Sequence, residues 1–239
     1  MRSSRSAVIE AVAVVVPVRD EEDRLDRSLA AIVRALGALP GTIESHVVIA
    51  LDGCTDGSAR IAARWPVGVL TLDSVGVGRA RASGVDAALG VLGRARSERV
   101  WLANTDGDSE VPENWLTAQL EFADDGWDVV LGTVAPDERD LPAQLRGTPL
   151  AHAATSGAPV YGANIGVRAS RYLAVGGFPA VREHEDARLV EALRSDGARV
   201  TSAYDIPVLT SGRPIGRSPG GYAGFLRDAA QRASLPILS

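Results

Sequence analysis

Two carboxylates with a single residue between them follow a short apolar run. Residues 100–103 are apolar, and Asp106 and Asp108 come shortly after them. Such a run is typical of a buried strand in an open α/β sheet, where ligands bind at the carboxyl ends of the strands. Mg²⁺ and Mn²⁺ are commonly held by one or two carboxylates and by substrate phosphates, so the pair predicts a metal site for a phosphorylated ligand. A surface turn is the alternative, because Asp and Gly are turn formers.

Three further turns with ligand-capable residues precede this pair. They read P-V-R-D-E-E at 17–22, D-G-C-T-D-G-S at 52–58 and V-G-V-G-R-A-R at 75–81. Each lies where a strand pattern ends and a helix pattern begins, and N–H groups at a helix start together with arginines suit an anionic ligand. Each also has a structural explanation, since acids favour a helix N-terminus and Gly, Thr and Asp form turns and N-caps. Their succession along the chain favours a nucleotide site.

The elements that must position these turns alternate between strand and helix patterns. Apolar runs predict strands over 12–18, 46–51, 67–72, 99–104 and 128–134, then near 165–167, 199–203 and 207–210. Helical spacing predicts helices over 25–36, 55–64, 78–92 and 113–124, then from about 170, from about 185 and in the C-terminal tail. This alternation predicts a mostly parallel, Rossmann-like sheet flanked by helices. Residues 135–159 have weak periodicity and predict a variable surface region.

Composition narrows the functional classes. The chain has 239 residues, of which 46% are hydrophobic, and this suits one large α/β domain with a sizeable core. A net charge of -5 argues against nucleic-acid binding, which needs a basic face. All 25 basic residues are arginine, which excludes mechanisms that need a lysine, such as a P-loop or a Schiff base.

The expected location is the cytoplasm. Cys54 is the single cysteine, so the chain has no internal disulfide framework and fits a reducing compartment. The apolar run at 11–18 is too short and too acidic in its flank for a signal peptide or a membrane span. No strongly amphipathic basic helix is evident, so membrane contact is unsupported.

The motifs in their order resemble those of the family 2 glycosyltransferases, which have the GT-A fold. The matching segments are P-V-R-D-E-E (17–22), D-G-C-T-D-G-S (52–58), G-V-G-R-A-R (76–81), T-D-G-D (105–108), G-A-N-I-G-V-R (162–168), G-G-F (176–178) and H-E-D (184–186). Each motif is modest, and the specificity of the match lies in their order and spacing. The resemblance runs from about residue 12 to residue 205, nearly the whole globular part.

This resemblance implies an inverting transfer of a sugar from a nucleotide-diphosphate sugar to a hydroxyl acceptor. A divalent metal, Mn²⁺ or Mg²⁺, would bridge Asp108 to the diphosphate, with Asp106 near the ribose or the metal. The residues implied for the base and ribose pocket are Pro17, Arg19, Glu21, Asp52 and Arg79. Many members carry a base-reading acid where this chain has Leu51, which leaves the base open. The Q-x-x-R-W motif of processive members is absent after Asp186, which favours a single transfer.

Inversion needs a base that accepts the proton of the acceptor hydroxyl, and Asp186 is the candidate. It matches the E-D position of the family and lies at the start of a predicted helix. The alternative is that Glu185 and Asp186 only favour that helix N-terminus electrostatically. In the tail, Arg213 and Arg217 suggest a cationic lid over the diphosphate, and an ordinary polar tail is the alternative.

The predicted organisation is a single domain over residues 1–239. A nucleotide-sugar-binding half spans about 10–110, an acceptor-binding half about 111–210, and the Gly/Arg-rich tail with a short helix 211–239. Three other functions stay open: a sugar-phosphate nucleotidyltransferase, a phosphatase that uses the D-x-D carboxylates, and a non-catalytic nucleotide-sugar binder. The sequence leaves the donor's sugar, the acceptor and the oligomeric state undetermined.

Overall fold

The computed structural model describes residues 7–148, 160–181, 183–216 and 221–233. The strands are β1 (Ala11–Val18), β2 (Glu44–Asp52), β3 (Gly68–Leu72), β4 (Val100–Asn104), β5 (Val129–Pro136), β6 (Ile165–Arg168) and β7 (Val200–Thr210). The α-helices are α1 (Leu25–Gly37), α2 (Ser58–Ala62), α3 (Val77–Leu92), α4 (Trp115–Asp124), α5 (Ala169–Ala174), α6 (Glu185–Ser195) and α7 (Tyr222–Ala233). The predicted alternation of strands and helices is confirmed.

The seven strands form one sheet in the order β3-β2-β1-β4-β6-β5-β7. Only β6 runs antiparallel to its neighbours, β4 and β5, among these strands. The sheet is therefore mostly parallel, as the sequence predicts, and the carboxyl ends of β1, β2 and β4 lie at the same edge. The turns at 17–22 and 52–58 and the D-x-D segment follow those three strand ends, and the turn at 75–81 follows β3, which is parallel to β2.

Both faces of the sheet are covered, which explains why β1 is a continuous apolar run. Its Val12, Val14 and Val16 point to the face covered by α1 and α4, where they join Leu29 and Trp115. The alternate residues point to the opposite face, which α3 and α6 cover; they are Ala11, Ala13 and Val15, and they join Val85, Leu89 and Leu189. The two apolar clusters hold the sheet as the centre of one α/β domain.

Two elements differ from the sequence prediction. The helix predicted over 55–64 is the shorter α2; residues 55–57 belong instead to a turn in which the N–H groups of Thr55 and Gly57 bond to Asp20 and Glu22. The strands predicted at 199–203 and 207–210 are the single strand β7. A shift in its register with β5, between Gly132 and Val134, accommodates the exposed residues between those segments.

The last described helix packs against an earlier segment of the same domain. Helix α7 buries Leu226 against Leu141 and Leu145, which lie in the region predicted to be variable. Part of that region, 149–159, is outside the described residues. None of the helices in the described part of the chain combines the length and the apolar character needed to cross a membrane.

Candidate functional site

The turns after β1 and β2 are tied together by side chains that bond to backbone. Asp20 accepts a hydrogen bond from the Thr55 N–H at 2.7 Å, and this bond lowers the pKa of Asp20. Glu22 accepts one from the Gly57 N–H at 2.7 Å and donates its own N–H to Asp56 at 2.9 Å. These contacts fix the two turns as one surface at the edge of the sheet.

Asp20, Cys54 and Asp56 place three possible metal-ligand atoms within 4.8 Å of one another. The two carboxylates, however, already accept backbone hydrogen bonds, from Thr55 to Asp20 and from Ser58 to Asp56. The cluster is therefore explained as a structural junction between turns.

Three of the residues predicted for the base and ribose pocket lie at the ends of β1 and β2. Pro17 is half-buried within β1, and Arg19 is exposed just beyond it. Asp52 is buried at the end of β2, and its two carboxylate oxygens accept the N–H groups of Val75 (2.6 Å) and Gly76 (2.9 Å). Asp52 thereby holds the loop that leads into α3 against the end of β2.

Helix α3 presents two arginines in different environments. Arg79, which the sequence analysis placed in the pocket, is exposed. Arg81 is buried, and its Nη2 donates to Asp106 Oδ1 at 2.6 Å while its Nε donates to Glu185 Oε1 at 3.3 Å. Burial lowers the pKa of Arg81, but attraction to Asp106, Glu185 and Asp186 outweighs it and leaves that pKa raised. The guanidinium therefore stays charged.

Arg81 joins the D-x-D segment to the first turn of α6. That turn begins after His184, which has a left-handed backbone (φ +60°). Burial raises the pKa of Glu185, and the attraction of Arg81 opposes that shift. Arg81 and Glu185 were not predicted as site residues; the spacing of Arg81 after the glycines of the turn at 75–81 was the available signal.

The neighbouring Asp186, the predicted base, is half-buried beside the same contact. Its Oδ2 accepts the N–H of Gly162 at 2.8 Å. A Cβ at Gly162 would lie 2.5 Å from Arg81 Nη2 and 3.4 Å from Asp186 Oδ2. Glycine at this position therefore leaves room for the Arg81 guanidinium and lets the backbone N–H donate to the Asp186 carboxylate.

Asp108 lies in a crowded group of carboxylates. Burial, followed by repulsion from Asp106 and Glu21, raises its pKa to about 6, although Arg213 opposes the shift. Its Oδ2 accepts a hydrogen bond from Arg213 Nη2 at 3.0 Å. The side chain is 16% exposed, compared with 34% for Asp106. The site thus gathers negative charge where water is largely excluded.

Arg213 also binds Glu21, through Nη1 to Oε2 at 2.9 Å and Nη2 to Oε1 at 2.5 Å. Its guanidinium therefore bridges the turn after β1 and the D-x-D segment after β4. The other tail arginine of the sequence prediction, Arg217, lies outside the described residues.

The residues after β4 fit a hard divalent cation. Carboxylate oxygens are the protein ligands that Mg²⁺ and Mn²⁺ prefer, and Asp106 and Asp108 provide them at a partly open edge of the sheet. Repulsion among Asp106, Asp108 and Glu21 is the charge imbalance that a dication relieves. The arrangement combines turns that carboxylates tie together, an acidic pair that suits a cation and a held carboxylate, Asp186, on α6.

Comparison with known families agrees with this arrangement. The model of the family described as Glycosyl transferase family 2 matches residues 13–156, more than half of the chain. The chain belongs to this family. It has the GT-A fold, and the resemblance seen in the motifs is confirmed. The match includes the turns after β1 and β2 and the D-x-D segment.

Solved structures share this fold at low sequence identity. Staphylococcus aureus TarS 1–349 in complex with UDP-GlcNAc is 17% identical with a TM-score of 0.68, over 89% of this chain and 61% of TarS. The mannosyltransferase PcManGT from Pyrobaculum calidifontis, in complex with GDP-Man and Mn²⁺, is 18% identical with a TM-score of 0.57, over 92% of this chain and 68% of that one. The chain therefore spans about three-fifths of TarS 1–349. No characterised protein among the curated ones matches in sequence.

Proposed function

We propose that this chain is a glycosyltransferase that transfers one sugar from a nucleotide-diphosphate sugar to a hydroxyl acceptor, with inversion and with a divalent metal, Mn²⁺ or Mg²⁺. The observation that carries the proposal is the buried contact of Arg81 with Asp106 on one side and Glu185 on the other. It fixes the D-x-D segment relative to the helix turn that bears Asp186. The carboxylates proposed to bind the metal and the candidate base are therefore held in one site.

The donor nucleotide is proposed to lie over the carboxyl ends of β1 and β2. Its base and ribose pocket would be lined by Pro17, Arg19, Glu21, Asp52 and Arg79. The complexes of TarS with UDP-GlcNAc and of PcManGT with GDP-Man support a nucleotide-sugar donor. Asp52 would act there mainly through the loop that it holds at Val75 and Gly76.

Asp108 and Asp106 are the proposed metal ligands. When bound, the cation would neutralise charge that develops on the departing diphosphate. Asp106 keeps one oxygen on Arg81, which fixes the orientation of its carboxylate. Arg213 adds a further positive group, and Arg217 is proposed to serve the same diphosphate from the tail.

Asp186 is the proposed catalytic base. Its carboxylate accepts the proton of the acceptor hydroxyl as that oxygen forms a bond to the anomeric carbon and the bond from this carbon to the diphosphate oxygen breaks. The Gly162 N–H donates to Oδ2 of Asp186 and the Ala187 N–H to its Oδ1, and these two bonds orient the carboxylate for this role. A direct displacement of this kind inverts the anomeric configuration.

The division of labour follows the chain. Residues of about 10–110 are proposed to bind the donor, those of about 111–210 the acceptor, and the tail the diphosphate. The absence of Q-x-x-R-W after Asp186 supports a single transfer over processive synthesis. A cytoplasmic location is proposed from the presence of a single cysteine, Cys54.

The proposal is tested by thermal unfolding with UDP, GDP, UDP-GlcNAc and GDP-Man, each with and without MnCl₂. A ligand at 100 times its Kd stabilises by about 2.7 kcal/mol. We expect one nucleotide family to stabilise the native chain in a Mn²⁺-dependent way. We expect Asp108→Asn to lose the effect and Glu121→Gln, on the exposed side of α4, to keep it.

Stabilisation by none of these nucleotides would overturn the proposal. Formation of a phosphoenzyme at Asp106 would favour the phosphatase alternative, and release of pyrophosphate from a nucleoside triphosphate and a sugar phosphate would favour the nucleotidyltransferase. Nucleotide-sugar binding with a biological activity that Asp186→Asn leaves unchanged would favour the non-catalytic binder.

A further inference from the structure

Arg213 reaches the site from a firmly seated piece of backbone after β7. A Cβ at the preceding Gly212 would lie 2.4 Å from the carbonyl oxygen of Asp137, so the chain passes in direct contact with that segment. The hydroxyl of Ser211 donates to Asp140 Oδ2 at 3.2 Å. The backbone position of Arg213 is thus set independently of its guanidinium, whose partners are two carboxylates from other parts of the chain.

The guanidinium uses oxygens that the proposed donor complex also needs. Its Nη2 is 3.0 Å from Asp108 Oδ2, an oxygen of a proposed metal ligand. Both of its terminal nitrogens bind Glu21, a residue proposed for the base and ribose pocket. The Arg213 side chain is 25% exposed and Glu21 is 6% exposed, so solvent screens these contacts only in part. A cation on Asp108 and the Arg213 guanidinium therefore compete.

We propose that Arg213 is an exchangeable cation of the donor site, which leaves Asp108 and Glu21 when metal and diphosphate bind and then binds the diphosphate. The inference rests on the proposed function. Guanidinium groups pair as well with phosphate as with carboxylate oxygens, so the diphosphate offers Arg213 a replacement partner. When metal binds without the diphosphate, Arg213 has no replacement partner, so its displacement from Asp108 costs free energy. The binding of metal and the binding of nucleotide are consequently positively coupled, and Arg213 is the source of this coupling.

The exchange predicts effects of opposite sign for one substitution. Arg213→Gln removes the competitor, so Mn²⁺ alone binds more tightly, on the order of tenfold. The same change removes a diphosphate ligand, so UDP or GDP in the presence of saturating Mn²⁺ binds more weakly, also on the order of tenfold. A residue that only stabilises the fold would not produce this reversal.

The experiment measures free Mn²⁺ by electron paramagnetic resonance and nucleotide affinity by calorimetry. Arg96→Gln is the matched control, because it removes the same charge at the opposite end of the sheet, where Arg96 pairs with Glu10 and Glu44. Circular dichroism verifies folding. Arg213→Lys, which keeps the charge but loses the bidentate geometry, provides a second variant if Arg213→Gln is unfolded; it is expected to shift both affinities in the same directions by less.

Tighter Mn²⁺ binding together with weaker nucleotide binding in the Arg213 variants supports the exchange. Mn²⁺ affinity that is unchanged, as in Arg96→Gln, or weakened overturns it while the metal-dependent function stands. If Asp108→Asn binds Mn²⁺ as the native chain does, the metal site itself is misplaced, and both the proposed metal ligand and the exchange are overturned.

Discussion

The two ends of the sheet both carry arginines and carboxylates in contact, but they differ in charge balance and burial. At the amino ends of β1, β2 and β4, two arginines meet two carboxylates whose side chains are 40–56% exposed; they are Arg96, Arg99, Glu10 and Glu44. At the carboxyl ends, the arginines are Arg81 and Arg213, and the carboxylates around them are Glu21, Asp106, Asp108, Glu185 and Asp186.

The difference distinguishes ion pairs that are merely exposed to solvent from a group of charges that can bind a ligand. Balanced, exposed ion pairs contribute little to stability because water and salt screen them. A buried surplus of carboxylates costs free energy, and the raised pKa of Asp108 is a direct sign of that cost. Folding tolerates such an imbalance where a ligand supplies the missing positive charge, so the comparison itself points to the carboxyl end as the site.

The largest expected effect concerns Asp186. Asp186→Asn removes the proposed base, and kcat of sugar transfer should fall on the order of a thousandfold while the Kd of the nucleotide sugar changes by less than about twofold. Steady-state transfer assays and calorimetry provide the two numbers. Glu191→Gln, which changes an exposed carboxylate of the same helix, should leave both unaffected. A thousandfold loss of donor affinity instead would assign Asp186 to donor binding.

The next largest effect tests whether the buried ion pairs of Arg81 stabilise the fold. Arg81→Met leaves Asp106 and Glu185 without their arginine, and breaking such a buried pair should lower the free energy of unfolding by about 3 kcal/mol. Urea unfolding measures the loss. Arg79→Met, two residues away on the exposed side of α3, should change it by less than about 0.5 kcal/mol. Equal effects in the two variants would contradict the assignment of Arg81 as the organising charge.

A smaller, pH-dependent effect follows from Asp108. Its pKa is raised from 3.8 to about 6, so between these values the native chain holds a proton that the unfolded chain has released. The free energy of unfolding therefore falls as the pH rises through this range. Above it, the native state carries the full cost of an ionised Asp108. Asp108→Asn removes the cost and should stabilise the protein by about 1–2 kcal/mol at pH 7.5, with no gain near pH 4.

Thermal and urea unfolding in EDTA, from pH 4 to pH 8, check this expectation. Asp205→Asn, an exposed change on β7, is the control and should follow the native chain at every pH. A variant of Asp108 that is less stable than the native chain at pH 7.5 would show that Asp108 is not under electrostatic strain.

The smallest effect lies at the amino ends. Arg96→Gln breaks contacts with Glu10 and Glu44, yet we expect a loss of less than about 1 kcal/mol, and less still in high salt. Unfolding at low and high NaCl concentration measures it. A loss as large as that of Arg81→Met would remove the distinction between the two ends of the sheet.

Much of the fold was predictable because covered parallel strands leave a clear pattern. The apolar run of β1 and the helical spacing of α3 indicated their elements within a residue or two. Long-range contacts were not predictable from local sequence: residues 55–57 form a turn bonded to Asp20 and Glu22 of the preceding turn, and α2 begins after it. The continuity of β7 likewise depends on its register with β5.

The candidate site shows the same division. The position of Asp106 and Asp108 after a buried strand follows from local sequence. The choice between Arg79 and Arg81 does not, because both lie in the same motif and only the packing of α3 decides which one is buried. The contact of Arg213 is harder still to predict, because its partner Glu21 is 192 residues away in the sequence.

The separation of Arg213 from its partners also has a consequence for how the chain is made. Asp108 leaves the ribosome 105 residues ahead of Arg213, which at roughly 5–20 residues per second is an interval of about 5–20 s. Arg81, by contrast, emerges before Asp106, so that pair is complete as soon as β4 is available. Synthesis therefore supplies the cation for Asp106 first and the cation for Asp108 only when β7 has been translated.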